Sequence, residues 1–141
     1  MSKRKTRDHE QYAALPFRMG TDGKPQVLLV TSRETGRWVI PKGWPMRGKK
    51  PREVALQEAF EEAGLLGTAI GKRPVGQFHY CKDMTSGESI LCQVHVFLLL
   101  VERQCDDFPE RGQRQARWFS AADAAALVDE GGLAEIMLRA L

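Results

Sequence analysis

The stretch that decides the fold is "ALQEAFEEAGLLG", Ala55 to Gly67. On a helical wheel of about 100° per residue, Glu58, Glu61 and Glu62 lie within about one third of the circumference. No Lys or Arg stands three or four residues from any of them, and each like-charge pair at such a spacing costs about 0.2–0.5 kcal/mol. The spacing therefore indicates that the acids have a partner that the helix itself does not supply.

The limits of this helix can be read from its flanking residues. Pro51 suits a first helical position and Gly64 suits a C-terminal stop, which predicts a helix from Pro51 to Ala63. Its buried stripe is expected to consist of Leu56, Ala59, Phe60 and Ala63. A solvated face is the ordinary alternative for acidic helix residues. A hard divalent cation explains the cluster of like charges better than a solvated face does, because Mg²⁺ takes one or two carboxylates together with water and substrate phosphate.

The loop before the helix, "PKGWPMRGKK", combines glycine with cations. Gly43 and Gly48 allow close approach of the backbone to a ligand. The cations are Lys42, Arg47, Lys49 and Lys50. By itself such a loop is more often only a turn, but beside three glutamates it predicts a phosphate-binding loop next to a metal site.

The stretch from Gly43 to Leu65 resembles the Nudix box, G-x5-E-x7-R-E-U-x-E-E-x-G-U, where U is a bulky apolar residue. The matching residues are Gly43, Glu58, Glu61, Glu62, Gly64 and Leu65, with Ala59 as a small residue at the first U. Two positions differ, because Lys49 replaces the motif's Glu and Gln57 replaces its Arg. The motif residues are expected to pair, so the double change would replace an ion pair by a contact between Lys49 and Gln57.

The resemblance implies the Nudix fold, a mixed β-sheet sandwiched between α-helices, in the α/β or α+β class. It also implies hydrolysis, assisted by Mg²⁺ or Mn²⁺, of a nucleoside diphosphate linked to another group or of a related pyrophosphate. Carried over from the motif, Glu58 and Glu62 are the metal ligands, and Glu61 is either a third ligand or the catalytic base. The base differs among family members and stays open at this point.

The segments "RWVIPKG" and "RQARWF" are most similar to the branch that hydrolyses diphosphoinositol polyphosphates and diadenosine polyphosphates. Basic residues line the pocket in that branch. The substrate-binding candidates here are Arg18, Arg33, Arg37, Lys42, Gly43 and Arg114. A solubilising role is the alternative for each cation. An aromatic platform for a base could come from Trp44, Phe78 or Tyr80.

The rest of the chain predicts a mixed sheet with further helices. Early strands are expected at "YAALPFRM", "QVLLVTS" and "RWVIP", and a long hairpin at "TAIGKRPVGQFHYC" and "SILCQVHVFLLLVE" around the turn "KDMTSGE". A last strand, "ARWFS", leads into the helix "AADAAALVDE", with Ser120 and Asp123 forming a capping box. A final short helix is expected at "GGLAEIMLRAL". This order favours an α/β or α+β sandwich.

Length and composition bound the remaining choices. The 141 residues predict a basic arm at residues 1–10, containing "MSKRKTR", and a single domain at residues 11–141. Three cysteines without CxxC spacing argue against disulfides and zinc and favour the cytoplasm. The longest apolar run is too short to span a bilayer, so no membrane association is expected. The net charge of +3 suits an anionic small molecule.

Several alternatives stay open. The changes at Lys49 and Gln57 are compatible with a domain that senses a nucleotide without turnover, and hydrolysis of ADP-ribose or oxidised nucleotides is a further option. RNA binding through the arm is unlikely, because the arm has no interleaved aromatic residues. A homodimer stays open as an assembly. A further carboxylate could come from Glu102, Asp106, Asp107 or Glu110, although a solvated loop role is more usual.

Overall fold

The computed structural model of the protein describes residues 9–141. The first eight residues of the predicted arm lie outside this range. Glu10, which the prediction assigned to the arm, begins the first strand of the sheet.

Residues 9–141 form eight strands and three helices. The strands are β1 (Glu10–Met19), β2 (Pro25–Thr31), β3 (Trp38–Val39), β4 (Lys42–Gly43), β5 (Leu65–Ile70), β6 (Gly76–Asp83), β7 (Ser89–Gln104) and β8 (Ala116–Ser120). The helices are α1 (Pro51–Ala63), α2 (Ala121–Leu127) and α3 (Gly131–Ala140).

One mixed sheet contains all eight strands, with the central order β3-β2-β1-β7-β5. Strands β1 and β7 are parallel, in a register that runs from Glu10 opposite Gln93 to Phe17 opposite Leu100. All other pairs are antiparallel. Strand β4 pairs with the first half of β1, and β2 pairs with its end. This arrangement places the loop after β4 beside the start of β1.

Helices cover both faces of the sheet, as the sequence predicted. Helix α1 packs on one face over a cluster that includes Ala14, Leu28, Ala59, Phe97 and Leu99. Helices α2 and α3 pack on the other face, where Leu133 and Met137 of α3 join a cluster with Leu15, Leu29 and Val96 of the sheet. Successive residues of β1 and β7 alternate between the two clusters because strand side chains alternate in direction. The central strands are therefore buried on both faces.

Three predicted segments need correction. The supposed strand "TAIGKRPVGQFHYC" is two strands, β5 and β6, which pair with successive parts of β7. The turn between them contains Gly71, whose φ of 82° is left-handed, and Pro74. The supposed strand "RWVIP" is only β3, since Pro41 has no N–H for a ladder hydrogen bond. Helix α2 ends at Leu127, where Val128 becomes extended and buries its side chain.

Helix α1 has the predicted limits but a different buried stripe. Val54 and Ala55 are fully buried with Ala59 and Ala63, whereas the predicted Leu56 and Phe60 are only partly buried. Glu62, predicted to lie on the face opposite the core, is 5% exposed. The reason is that α1 contacts the sheet on one side and the segment after β7 on another.

That segment, residues 105–115, is tied to the end of α1 by backbone hydrogen bonds. The N–H of Cys105 donates to the carbonyl of Gly64 at 2.7 Å, and the N–H of Glu110 donates to the carbonyl of Glu61 at 2.9 Å. Gly64 has a φ of 72° and ends the helix as predicted. The segment thereby covers the last turn of α1, where Glu62 lies.

Replacing Gly64 by Ala is expected to lower the free energy of unfolding by about 2–4 kcal/mol. A Cβ there would lie 2.6 Å from Cδ1 of Phe108 and 2.7 Å from the carbonyl oxygen of Cys105, in addition to the left-handed φ. Gly112→Ala is the matched control, because Gly112 has a φ of 83° with no atom within 4 Å of its added Cβ. Urea unfolding should show a loss of about 1 kcal/mol for the control. Equal losses in the two variants would contradict this interpretation of Gly64.

Candidate active site

Two carboxyl groups on the last turns of α1 form the centre of the site. Glu58 and Glu62 are one turn apart, and a hydrogen bond joins their side chains. Burial raises the pKa of Glu62 to about 8, against the pull of the Arg114 guanidinium. Burial also raises the pKa of Glu58. Without a cation, the pair therefore retains a proton near neutral pH.

Arg114 forms an ion pair with Glu62 and is itself held in place. Its Nη2 lies 3.8 Å from Oε1 of Glu62, and its Nε donates to Oε1 of Glu110 at 3.1 Å. Its Nη1 donates to the carbonyl oxygen of Thr31 at 3.2 Å. Only 12% of the side chain is exposed. The guanidinium therefore joins β2, the segment 105–115 and α1 at one point.

The raised pKa of Glu62 predicts a dependence of stability on pH. A carboxyl group whose pKa is higher in the fold than its ordinary value of 4.5 resists ionisation there. In a chelating buffer, this contribution to stability is present below pH 4.5 and is lost as the pH rises to about 8. We expect the melting temperature of the wild type, relative to Glu62→Gln, to fall by on the order of 5 °C across this range. If the difference in melting temperature between the two proteins were the same at every pH, the raised pKa assigned to Glu62 would be contradicted.

Gly43 admits the Glu58 side chain. It lies in β4 opposite Tyr12 of β1, and a Cβ at this position would overlap the Glu58 carboxyl group. Its φ is not left-handed. The sequence predicted that this glycine lets a ligand approach the backbone. In the structure, the Glu58 side chain occupies the space that a side chain at Gly43 would take. Gly43 also borders the cavity described next.

The carboxyl pair opens into a cavity with two lobes. The first, here the carboxylate lobe, has a volume of about 390 Å³. Its lining includes Lys42, Trp44, Met46, Glu58, Glu62, Glu110 and Arg114. The second, here the Asp129 lobe, has a volume of about 250 Å³. Its lining includes Arg37, Trp38, Phe78, Asp83, Asp129 and Glu130. Both lobes include Ser32, Glu34, Lys42, Tyr80 and Lys82 in their walls.

Lys42 and Tyr80 stand where the two lobes meet. The Nζ of Lys42 lies 5.0 Å from the centre of the Tyr80 ring, and burial lowers the pKa of Lys42. The Tyr80 hydroxyl donates to Oε1 of Gln11 at 2.7 Å, and burial raises its pKa. Tyr80 is therefore a fixed neutral ring beside a cation.

The other predicted substrate-binding arginines lie in different places. Arg37 lines the Asp129 lobe and pairs with Asp129 at 2.9 Å. Arg33 lines the carboxylate lobe and donates to Oε1 of Gln113 at 2.7 Å. Arg18 is in neither lobe. Its guanidinium lies 4.0 Å from the Trp118 ring, roughly 20 Å along β1 from the end that borders the cavity.

The two positions that differ from the motif do not contact each other among residues 9–141. Nε2 of Gln57 donates to Oε2 of Glu61 at 2.7 Å, a pair at i,i+4 on α1. Lys49 is exposed ahead of the helix. The predicted contact between Lys49 and Gln57 is therefore wrong. Glu61, the predicted base, accepts this hydrogen bond and does not line either lobe.

Lys82 is a cavity residue that sequence analysis missed. It lies on β6, with its Nζ 3.4 Å from Oε1 of Glu34. The prediction placed it in the hairpin turn, which in the structure begins after Asp83. The available signal was the strand period of two, because Phe78 and Tyr80 point to the same side of β6 as Lys82.

The residues present fit a divalent cation. Within the described range there is no group of three or more His, Cys, Asp and Glu side chains arranged to hold a metal ion. Two carboxyl groups in direct contact are nevertheless sufficient for Mg²⁺, which takes its remaining ligands from water and substrate phosphate. Glu110 adds further negative charge near Glu58. The pair formed by Glu58 and Glu62 is therefore the candidate metal site.

Comparison with known proteins identifies the family of this chain. The sequence profile of the NUDIX domain matches residues 9–140. The protein belongs to the Nudix family. Nudix hydrolase 12, mitochondrial, of Arabidopsis thaliana is 30% identical over 150 residues, covering 90% of this chain and 73% of its own length. Diphosphoinositol polyphosphate phosphohydrolase 3-beta of Bos taurus is 32% identical over 115 residues, covering 79% of this chain and 64% of its own.

Solved structures agree on the fold. The Ap4A hydrolase of C. elegans superposes with a TM-score of 0.63 at 18% identity, covering 93% of this Nudix chain and 96% of its own. The predicted fold class and family are confirmed, and the protein is a Nudix hydrolase like its named relatives. None of the helices found between residues 9 and 141 has the length and apolarity needed to cross a membrane.

Proposed function

We propose that the protein hydrolyses a phosphoanhydride bond of a phosphorylated small molecule, with a dinucleoside polyphosphate as the first candidate. In this proposal, Glu58 and Glu62 hold Mg²⁺ or Mn²⁺. The observation that carries this proposal is a buried pair of carboxyl groups in mutual contact, at the wall of a cavity that also contains cations. A buried carboxyl pair is unfavourable without a cation. The site is thus built for a charged ligand rather than for the stability of the helix.

The residues around the pair have separate roles. A divalent ion held by Glu58 and Glu62 would neutralise charge on the phosphate oxygens. It would also lower the pKa of a water molecule bound to it. Lys42 provides charge-assisted hydrogen bonds to the phosphate groups, and Arg114, which is paired with Glu110, adds positive charge beside them. Tyr80 and Trp44 offer flat faces to a nucleobase. Burial of Glu62 keeps bulk water away from the reacting groups and strengthens these electrostatic contacts.

The proton of the attacking water has two candidate acceptors. Glu61 is the acceptor suggested by the motif, but its carboxylate would have to leave the hydrogen bond from Gln57. Glu110 already lines the carboxylate lobe, although it accepts from Arg114. A general base must come within hydrogen-bond reach of the water. The kinetics of Glu61→Gln and Glu110→Gln would distinguish them, because loss of the base lowers kcat and removes the acid limb of its pH profile.

Charge pairing within the cavity favours a substrate with few phosphates. Three of its cations already contact acids, namely Arg37 with Asp129, Lys82 with Glu34, and Arg114 with Glu110. The two that do not are Lys42 and Arg33 among the residues lining the lobes. A short phosphoanhydride chain needs few unpaired cations, whereas an inositol carrying phosphate on every carbon needs many. Diphosphoinositol polyphosphates are the second candidate, favoured by the likeness to the bovine phosphohydrolase.

A substrate panel tests this proposal. With Mg²⁺ or Mn²⁺ present, the compounds are diadenosine tetraphosphate, diphosphoinositol pentakisphosphate, ADP-ribose and 8-oxo-dGTP. We expect kcat/KM to be highest for diadenosine tetraphosphate, by about tenfold, a difference of about 1.4 kcal/mol. Faster cleavage of the inositol compound would contradict the charge argument. Binding of every compound without cleavage of any of them would instead support a sensor.

A further inference from the structure

A second pocket, here the basic pocket, lies on the side of the sheet covered by helix α1. Its volume is about 370 Å³, which is within the range of small-molecule sites. Its rim consists of Lys50, Arg52, Lys72 and Arg73. Its floor is formed by Tyr12, His95 and Phe97. None of these residues lines the catalytic cavity.

Strand β1 separates the basic pocket from the catalytic cavity. Glu10 and Tyr12 line the basic pocket, whereas Gln11 between them lines the carboxylate lobe. Successive strand side chains point to opposite faces, so neighbouring residues of β1 line different sites. Along α1, Arg52 and Glu58 are separated by roughly 9 Å of helix rise. The basic pocket is therefore a separate site.

The four rim cations have no acidic partner among residues 9–141. None of the five ion pairs between described residues involves Lys50, Arg52, Lys72 or Arg73. The backbone N–H of Lys50 donates to Oε1 of Glu53 at 2.8 Å. The one acid in the lining, Glu10, accepts or shares a hydrogen bond with Nε2 of His95 at 2.7 Å. The catalytic cavity differs, since most of its cations are paired. The rim therefore presents unneutralised positive charge to any ligand.

The backbone holds the two pairs of cations in position. Lys50 and Arg52 flank Pro51, which begins α1. Lys72 and Arg73 lie in the turn between β5 and β6, just before Pro74. Proline fixes its own φ and restricts the residue before it. Two Lys/Arg pairs from distant parts of the chain are thereby fixed around one pocket.

The floor consists of three aromatic rings. Tyr12 of β1 lies opposite His95 of the parallel strand β7, with ring centroids 5.7 Å apart. Phe97, two residues further along β7, is 4% exposed. Flat side chains of this kind stack with nucleobases. The pocket thus combines a flat aromatic floor with a cationic rim.

We propose that the basic pocket binds a mononucleotide, with the phosphate held by the rim and the base lying on the floor. Charge-assisted hydrogen bonds from Lys and Arg are the strong contacts to phosphate. The aromatic floor adds a contribution that inorganic phosphate cannot use. Occupancy of this pocket does not require the catalytic metal, because neither Glu58 nor Glu62 lines it.

The test is an NMR titration of the ¹⁵N-labelled full chain with AMP and with inorganic phosphate, in a chelating buffer. AMP is expected to shift the amide signals of Lys72, Arg73 and Phe97. The variant Lys72→Glu/Arg73→Glu should raise the Kd for AMP by about tenfold or more. Lys24→Glu/Arg103→Glu makes the same change of charge at exposed positions outside the pockets and should leave the Kd unchanged. Hydrolysis by both variants should match the wild type.

Three results would overturn the proposal. The first is a set of shifts confined to the residues around Glu58 and Glu62. The second is equal affinity for AMP and inorganic phosphate, which would exclude the aromatic floor. The third is binding of a short single-stranded RNA with no binding of AMP, which would indicate a different class of ligand.

Discussion

Replacement of Glu62 by Gln is expected to lower kcat/KM by about 10³-fold, or about 4 kcal/mol of transition-state stabilisation. Glu62 is 5% exposed and in contact with Glu58, so its carboxylate cannot be replaced by another acid without repacking. An amide has nearly the same shape, but it carries no charge for a divalent ion. The measurement is the formation of AMP and ATP, or of ADP, from diadenosine tetraphosphate with Mg²⁺.

Stability separates a catalytic effect from a folding defect in this variant. Without divalent ions at pH 8, Glu62→Gln should melt at or above the wild-type temperature, because it removes a buried group that is ionising. Glu135→Gln is the control, since Glu135 is exposed on helix α3 and the chemical change is the same. We expect the control to retain wild-type activity. Activity of Glu62→Gln within about threefold of the wild type, a difference of under 1 kcal/mol, would contradict its assigned role.

Replacement of Gly43 by Ala is expected to lower kcat/KM by about 10²-fold, because displacement of a reacting group by about 1 Å has effects of this size. The added Cβ would overlap the Glu58 carboxyl group and lie 2.8 Å from its Cγ. Glu58 would then have to move away from Glu62. The same kinetic assay measures the loss, and urea unfolding should show a destabilisation of about 1–3 kcal/mol.

Two variants control this experiment. Gly131→Ala adds a methyl group at the start of helix α3, where no atom lies within 4 Å of the new Cβ, and it should leave activity unchanged. In Gly43→Ala/Glu58→Asp, the shorter acid makes room for the methyl group, so stability should partly recover while activity stays low. If Gly43→Ala keeps full activity, the position of Glu58 is not set by the absence of a side chain at Gly43.

The parts of the site that were predicted depend on local signals. Pro51 and Gly64 act on the residues beside them, and these two residues gave the limits of α1 correctly. The shared face of Glu58 and Glu62 follows from helix geometry alone. The same local reasoning placed Gly43 next to the glutamates. Spacing along one helix and its preceding loop therefore carried most of the prediction.

The parts that were missed depend on segments distant in sequence. Burial of Glu62 results from residues 105–115, which no helical wheel of α1 contains. The break at Gly71 was missed because apolar and polar residues alternate on both sides of it, and only pairing with β7 shows that two strands are present. Arg18 was grouped with the other cations by type, but distance along β1 separates it from the cavity. Tertiary contacts decided each of these cases.

The parallel pairing of β1 with β7 also has a consequence for how the protein folds. Glu10 is opposite Gln93, so the two central strands are separated by roughly 80 residues of intervening chain. Loop-closure entropy must be overcome before this contact stabilises anything, and such non-local pairing slows folding to the millisecond-to-second range. A ribosome-bound chain that has not yet produced β7 exposes the apolar side chains of β1, and it will therefore need protection from aggregation until synthesis has passed that strand.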